Sequence, residues 1–303
     1  MLSFADRLTR EAVLGNRDEK WRPRFHFSSP CGFLNDPHNP VWFRGEYHIF
    51  FQYFPQQAEA VRPKCWGHLT TRDFCSWRLL PAAIAPDTEL DRDGCASGSA
   101  LVLGGRLWLF YTGRHYYRHP RELICAAWSD DGVHFTKAEK PVVVPDAPDG
   151  RMDFRDPFVW READGTLSML VGTRKNKRAL LRRYTASEPL SWDNGSDFLV
   201  PPEGTGWIWE CPCLAEENGE TFLLASPEGL DGVVQKTVYV FGERQADGSF
   251  SFASRQDADR GGDYYAGQFF RSPDGELLSL GWMSKWGNQL PTAREGWAGI
   301  MTL

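Results

Sequence analysis

The chain has 303 residues, 42% of them hydrophobic, enough apolar material for the core of a single repeat domain. Its formal net charge of −6 and pI near 5.7 argue against a nucleic-acid partner, whose backbone requires a basic surface. Charges interrupt residues 1–23 every few positions, so neither a leader peptide nor a membrane span is expected there. Seven scattered cysteines suggest free thiols in a reducing cytoplasm.

In chain order, helical periodicity is confined to residues 3–14, where Ser3 would cap a short helix carrying Phe4, Leu8, Val13 and Leu14. From there on the signals are those of strands. An apolar run, a turn ending in Gly and a second apolar run recur as NPVWFRGEYHIFFQY, GSALVLGGRLWLFYTG, DPFVWREADGTLSMLVGT, CPCLAEENGETFLLASP and GQFFRSPDGELLSLGWM. The turn glycines Gly45, Gly105, Gly165, Gly219 and Gly275 are spaced 60, 60, 54 and 56 residues apart. Asp-Gly, Asn-Gly and Gly-Gly between such runs are hairpin signals. Between them lie CWGHLTTRDFCSWRLL, LICAAWSDDGVHFTK, ALLRRYTASEPLSWD and KTVYVFGERQADGSF, which read as outer strands. Five units of this length predict an all-β, five-bladed propeller over residues 21–303, preceded by an N-terminal segment over 1–20. Periodicity alone leaves a β-sandwich open.

Nine residues before the turn glycines stand Asp36, Ala96, Asp156, Glu210 and Ala266. In a propeller these positions converge near the axis at one mouth of the channel. An Asp before Pro, as in Asp36-Pro37 or Asp156-Pro157, is ordinary turn chemistry when taken singly. Three acids in one register, with Asn35 and Arg155 directly before two of them, point to chemistry. Crowded carboxylates repel, and their proton affinities spread. One then serves as an acid and another as a nucleophile, the pair that glycoside hydrolysis requires. Arg155 would keep a neighbouring acid ionised and offer paired donors to sugar hydroxyls.

GFLNDPHNP followed by EYHIFFQYFP resembles the opening motif of glycoside hydrolase family 32, the invertases, sucrose-6-phosphate hydrolases and fructan hydrolases. DFRDP at 153–157 resembles the Arg-Asp-Pro motif of that family, and WECP at 209–212 its Glu-Cys motif. CWGHLTTRDFCSW, GCASGSALV, LFYTG, SPEG and the segment DYYAGQFF to WAGIMTL follow in the same order. The resemblance implies Asp36 as the nucleophile that forms a covalent fructosyl-enzyme, and Glu210 as the acid/base. It implies Asp156 as the acid that binds fructose hydroxyls and steadies the transition state. Asn35, Gln52, Ser97 and Arg155 match positions that hold the fructosyl unit, while Trp66 and Trp286 are candidates for pocket wall or blade packing. No cofactor is implied, and the partner is a small sugar.

The sequence departs from the family pattern at His38-Asn39, in the loop from Pro55 to Lys64, at Ala96-Ser97 and at Cys213. These departures bear on the pocket rim and hence on the leaving group. Relatives usually continue past WAGIMTL into a β-sandwich, whereas this sequence stops at Leu303, as a single-domain form or a truncated one; a blade face left uncovered would invite self-association. Three other readings of the acids remain open: an inverting propeller glycosidase, a sugar-binding propeller without catalysis, and a fructosyltransferase. The inverting one is set apart by carboxyl groups about 6.5–9.5 Å apart rather than about 5–5.5 Å. Cys211-x-Cys213 has no partner motif, so no metal is expected. His68 reads as strand support. The basic stretch 174–183 reads as a solvated face. The run from Arg114 to His119 mixes basic and aromatic groups, as a receiver of a phosphorylated sugar would.

Overall fold

The computed structural model describes Asp6, residues 20–58, 63–117, 120–145, 153–233, 235–284, Trp286 and residues 290–303. The helix expected over 3–14 falls outside these residues except for Asp6, whose carboxylate accepts a hydrogen bond from the Ala82 backbone N–H at 2.6 Å.

The described chain is built almost wholly of strands, grouped in five separate sheets. Blade one contains β1 (Gly32–Phe43), β2 (Glu46–Phe54), β3 (Cys65–Thr71) and β4 (Arg78–Ile84). Blade two contains β5 (Gly94–Leu103), β6 (Arg106–Arg114), β7 (Glu122–Ser129) and β8 (Thr136–Lys137). Blade three runs from β9 (Phe154–Arg161) through β10 (Leu167–Lys175) and β11 (Arg178–Ala186) to β12 (Ser196–Leu199). Blade four runs from β13 (Ile208–Glu217) through β14 (Glu220–Glu228) and β15 (Val238–Arg244) to β16 (Phe250–Asp257). Blade five has β17 (Tyr264–Arg271) and β18 (Leu277–Met283). The chain end then joins two blades. β19 (Trp297–Ala298) pairs in parallel with β1, and β20 (Met301–Thr302) pairs with β18. The four outer runs read from the sequence carry the third strands of blades one to four and, in blades one, two and four, at least the start of the fourth; β12 of blade three lies beyond the run that ends at Asp193.

Each inner strand packs on the next: β1 on β5, β5 on β9, β9 on β13, β13 on β17, and β17 back on β1. This closed ring is the five-bladed propeller. The core lies between blades, with Phe50, Trp66 and Leu109 between one and two, Phe110, Val159 and Met169 between two and three, and Phe33, Leu280 and Trp282 between five and one. Turns such as Asn218-Gly219, with both residues at positive φ, match the twist of a two-residue hairpin.

Every inner strand carries one extra residue near its start. The register slips between Leu34 and Pro37, Ala96 and Gly98, Glu210 and Cys213, and Tyr265 and Gln268, and on β9 between Arg155 and Phe158. A bulge leaves the ladder locally and re-aims side chains. Asp156, Cys211 and Ala266 therefore adopt the left-handed region, with φ of 61°, 48° and 53°. Close approach accompanies the bulge in blade two: a Cβ on Gly98 would lie 1.9 Å from the Phe110 carbonyl oxygen.

Candidate active site

The bulges correct the register read from the sequence. The three acids lie within inner strands rather than ahead of them, and they occupy successive places of one repeated bulge. Glu210 is the last paired residue before it, Asp156 the first residue of it, and Asp36 the second. A count from the turn glycines misses the one-residue shifts because a bulge adds a residue without changing strand chemistry.

All three acids line one polar cavity of about 290 Å³, together with Gln52, Lys64, Ser97, Arg114, Tyr116, Glu122, Asp153, Arg155, Glu228 and Trp286. A larger cavity of about 570 Å³ lies toward the hairpin turns of the same inner strands, walled by residues such as Val41, Leu101, Val159 and Leu214. Its volume is greater, but none of the three acids lines it, so the chemistry belongs to the smaller one.

Asp36 is buried and held on both oxygens. Its Oδ1 accepts from Asn35 Nδ2 at 2.8 Å, and its Oδ2 accepts from Gln52 Nε2 at 2.6 Å and Ser97 Oγ at 2.7 Å. Gln52 also contacts Ser97 Oγ, and its Oε1 accepts from Lys64 Nζ at 2.5 Å. Burial and the nearby Glu210 raise the Asp36 carboxyl above its ordinary value, while Ser97, Lys64 and Asn35 oppose the rise. Burial, with Arg114 adding repulsion, lowers the Lys64 ammonium to about 7.

Asp156 Oδ2 accepts from the Cys211 backbone N–H at 3.0 Å, and its own N–H donates to Thr112 Oγ1 at 2.9 Å. Burial raises this carboxyl, the Glu210 charge adds to the rise, and Arg155 opposes it. Glu210 Oε1 accepts from Arg155 Nε at 2.9 Å and Oε2 from Tyr265 OH at 2.6 Å. Arg155 also donates through Nη1 to Glu122 at 3.1 Å and through Nη2 to Asp153 at 3.0 Å. It thus directs its nitrogens to three carboxylates, where the sequence reading had it offering paired donors to sugar hydroxyls. The charge of Glu122 is balanced in turn by Arg114, 2.7 Å away.

Other expectations resolve individually. Trp66 is fully buried, stacked on His38, with its Nε1–H donating to the Ala96 carbonyl at 2.9 Å. It is blade packing and does not line the pocket. Trp286 does line it, with its ring stacked on Phe33 at 5.8 Å. Asn35 is buried behind Asp36 and does not line the cavity. His68 lies in the core against Phe50, 3.0 Å from His48. Arg174, Lys175, Arg182 and Arg183 pair with Asp153, Asp197 and Glu162. Arg114 and Tyr116 line the pocket, Tyr117 is 92% exposed, and Arg118 and His119 lie outside the described residues. The two thiols of the Cys-x-Cys diverge, Cys211 Sγ toward Asp156 at 3.8 Å and Cys213 Sγ toward the Phe269 backbone.

The sequence reading did not single out Lys64, Glu122, Asp153, Tyr265 or Glu228 as site residues. Tyr265 had a usable signal, since it directly precedes Ala266 in the counted register. Glu228 stands in SPEG, a segment recognised but given no role.

The model of the glycosyl hydrolases family 32 N-terminal domain matches residues 26–303. The chain belongs to glycosyl hydrolases family 32. A sucrose-6-phosphate hydrolase of Escherichia coli is 37% identical over 95% of this chain and 62% of its own length. The raffinose invertase of Escherichia coli is 35% identical over 97% of the chain and 63% of its length. The chain therefore spans about three fifths of these curated relatives. Among solved structures, the Bombyx mori family 32 beta-fructofuranosidase BmSUC1 superposes with a TM-score of 0.89 at 33% identity, covering 99% of this chain and 66% of that one. A variant of that enzyme in complex with sucrose gives 0.90 at 32% identity, covering 100% of this chain and 67% of that one.

Proposed function

We propose that this family 32 propeller, taken over residues 21–303, is a retaining β-fructosidase that hydrolyses the fructosyl bond of sucrose or sucrose 6-phosphate. The observation that carries the reading is the meeting of Asp36, Asp156 and Glu210 in one polar cavity, each acid held by donors from a neighbouring blade. The names of the similar enzymes and the sucrose complex of the silkworm enzyme support the substrate class.

In this reading an Asp36 oxygen attacks the anomeric carbon of fructose. The bond to the leaving oxygen breaks, and Glu210 gives that oxygen a proton. Glu210 then takes a proton from water as the water oxygen attacks the same carbon, and the ester electrons return to Asp36. Asp156, in the same cavity as Asp36 and Glu210, holds fructose hydroxyls where positive charge develops. Asn35, Gln52 and Ser97 hold Asp36 in line for attack, Gln52 and Ser97 from the cavity wall.

The test is to incubate the protein with sucrose and separately with sucrose 6-phosphate, with Asp36→Ala as control, and to assay fructose, glucose and glucose 6-phosphate. Release that vanishes in the control supports the reading, and the faster substrate identifies the leaving group served. Release from neither substrate, nor from inulin or levan, would overturn it.

A further inference from the structure

Glu228 is a second carboxyl beside Glu210 that the mechanism above does not use. The β13–β14 ladder pairs Ile208 with Glu228 and Glu210 with Ser226, so Glu210 and Glu228 are diagonal neighbours on one face. Glu228 lines the same cavity as Glu210. Its Oε2 is anchored by Trp207 Nε1–H at 2.9 Å.

The Glu210 carboxyl receives donors on both oxygens, from Arg155 at 2.9 Å and Tyr265 at 2.6 Å. A group that must protonate a leaving oxygen has to carry a proton when the sugar arrives. A second carboxyl beside it can supply that condition, because neighbouring carboxylates in one site resist ionising together. The charged and titratable groups facing the pair from the packed strands are Arg155 and Asp156 of β9, Asp36 of β1, Tyr265 of β17 and Cys211 of β13. Asp36 and Asp156 oppose a further negative charge and Arg155 favours one. Burial raises the Glu228 carboxyl, and the Glu210 charge adds to the rise.

We propose that Glu228 is a positioning residue for the acid step, its carboxyl and that of Glu210 holding one proton between them until the leaving oxygen arrives. This rests on the reading of Glu210 as acid/base. When the glycosidic bond breaks, the bonding electrons go to the leaving oxygen, which takes the shared proton from Glu210. The pair is left doubly ionised beside Arg155. In the second step Glu210 takes a proton from the attacking water, and the shared proton is restored.

The test compares kcat/KM against pH for sucrose and for a nitrophenyl β-fructofuranoside, whose leaving group needs no proton. Glu228→Gln keeps an acceptor for Trp207 and removes the charge that opposes loss of the shared proton. Its alkaline limb on sucrose is expected to fall by about one pH unit. At pH 7.5 sucrose turnover drops about tenfold, with the activated substrate within about twofold of wild type. Trp207→Phe removes a donor that favours ionised Glu228, and should move the limb the other way, to higher pH. An unmoved limb in Glu228→Gln, or an equal loss on both substrates, would overturn the proposal and leave Glu228 as an anchor for Trp207. Failure of the underlying reading shows separately: Glu210→Gln would then retain sucrose turnover.

Discussion

Blades one, three and four bring acids to the mouth of the channel, whereas blades two and five bring Ala96 and Ala266 at the same count from the turn. The backbone is bulged in all five, so the fold does not distinguish them. What distinguishes them is that blades two and five give side-chain hydroxyls to the acids and place none of the three acids themselves. Blade two donates Ser97 Oγ to Asp36 of blade one, and blade five donates Tyr265 OH to Glu210 of blade four. Asp156 of blade three is held by the Cys211 N–H of blade four. Each acid thus accepts a donor from at or beside the bulge of the blade that follows it in the chain, and Glu210 accepts a second from Arg155 of the blade before it. The two repeats that lack an acid supply the hydroxyls that orient one, and a ring of five acids with no donors between them would not stay ionised where needed.

The sharpest break in that division is removal of a reacting carboxyl. Asp36→Ala and Glu210→Ala should each lower kcat/KM on sucrose by about 10⁴-fold or more, with the circular dichroism of the folded protein retained. Measurable wild-type turnover in either variant would place the chemistry elsewhere. Asp156→Asn comes next. In the proposed mechanism its help is greatest in the charged transition state, so kcat should fall by about 10²-fold while KM stays within a few-fold. A change in KM alone would make Asp156 a ground-state binder.

The supporting blades should show smaller losses with a different signature. A hydrogen bond to a charged group contributes about 1.5–3 kcal/mol, or roughly 10- to 100-fold. Ser97→Ala should slow sucrose and an aryl fructoside alike, because it disturbs the nucleophile. Tyr265→Phe should slow sucrose more than the aryl fructoside, because it disturbs the group that protonates the leaving oxygen. If both variants slowed both substrates equally, the pairing of each acid with its following blade would have no separate catalytic meaning.

This division was partly legible before the structure. Glycine turns and alternating apolar runs are local, so the hairpins and their five-fold repeat could be read directly, and the acids could be located to within one residue. The remaining residue of error is the bulge, which shifts Glu210, Asp156 and Asp36 to successive places without leaving a mark in the count. Lys64 and Glu228 were not legible as site residues, because neither lies in the counted register. They reach the cavity from β2–β3 and β14 only when the blades close. The third strand of blade five was hidden for a similar reason, since β20 comes after a segment that first pairs with β1. Trp66 and Trp286 look alike in sequence, and only inter-blade packing separates a core tryptophan from a wall of the pocket.

The smallest expected effect tests whether the bulge itself, rather than its side chain, is what blades two and five share with the others. Ala266 is buried at φ 53°, a region that costs an alanine about 1 kcal/mol or more. Changing it to Gly relieves that strain but loses a buried methyl, about 0.8 kcal/mol, and frees the unfolded chain by roughly 0.5–1 kcal/mol. The terms nearly cancel, so Ala266→Gly should move Tm by about 2 °C or less. Ala96 is equally buried but has no positive φ, so Ala96→Gly has no strain to relieve and should cost about 1–2 kcal/mol. The comparison is the difference between the two variants in one thermal scan. Equal losses would mean that the left-handed turn at Ala266 is not a cost borne for the bulge. A clear difference would mean that the bulge is selected in a blade with no acid of its own, because Tyr265 beside it must reach Glu210.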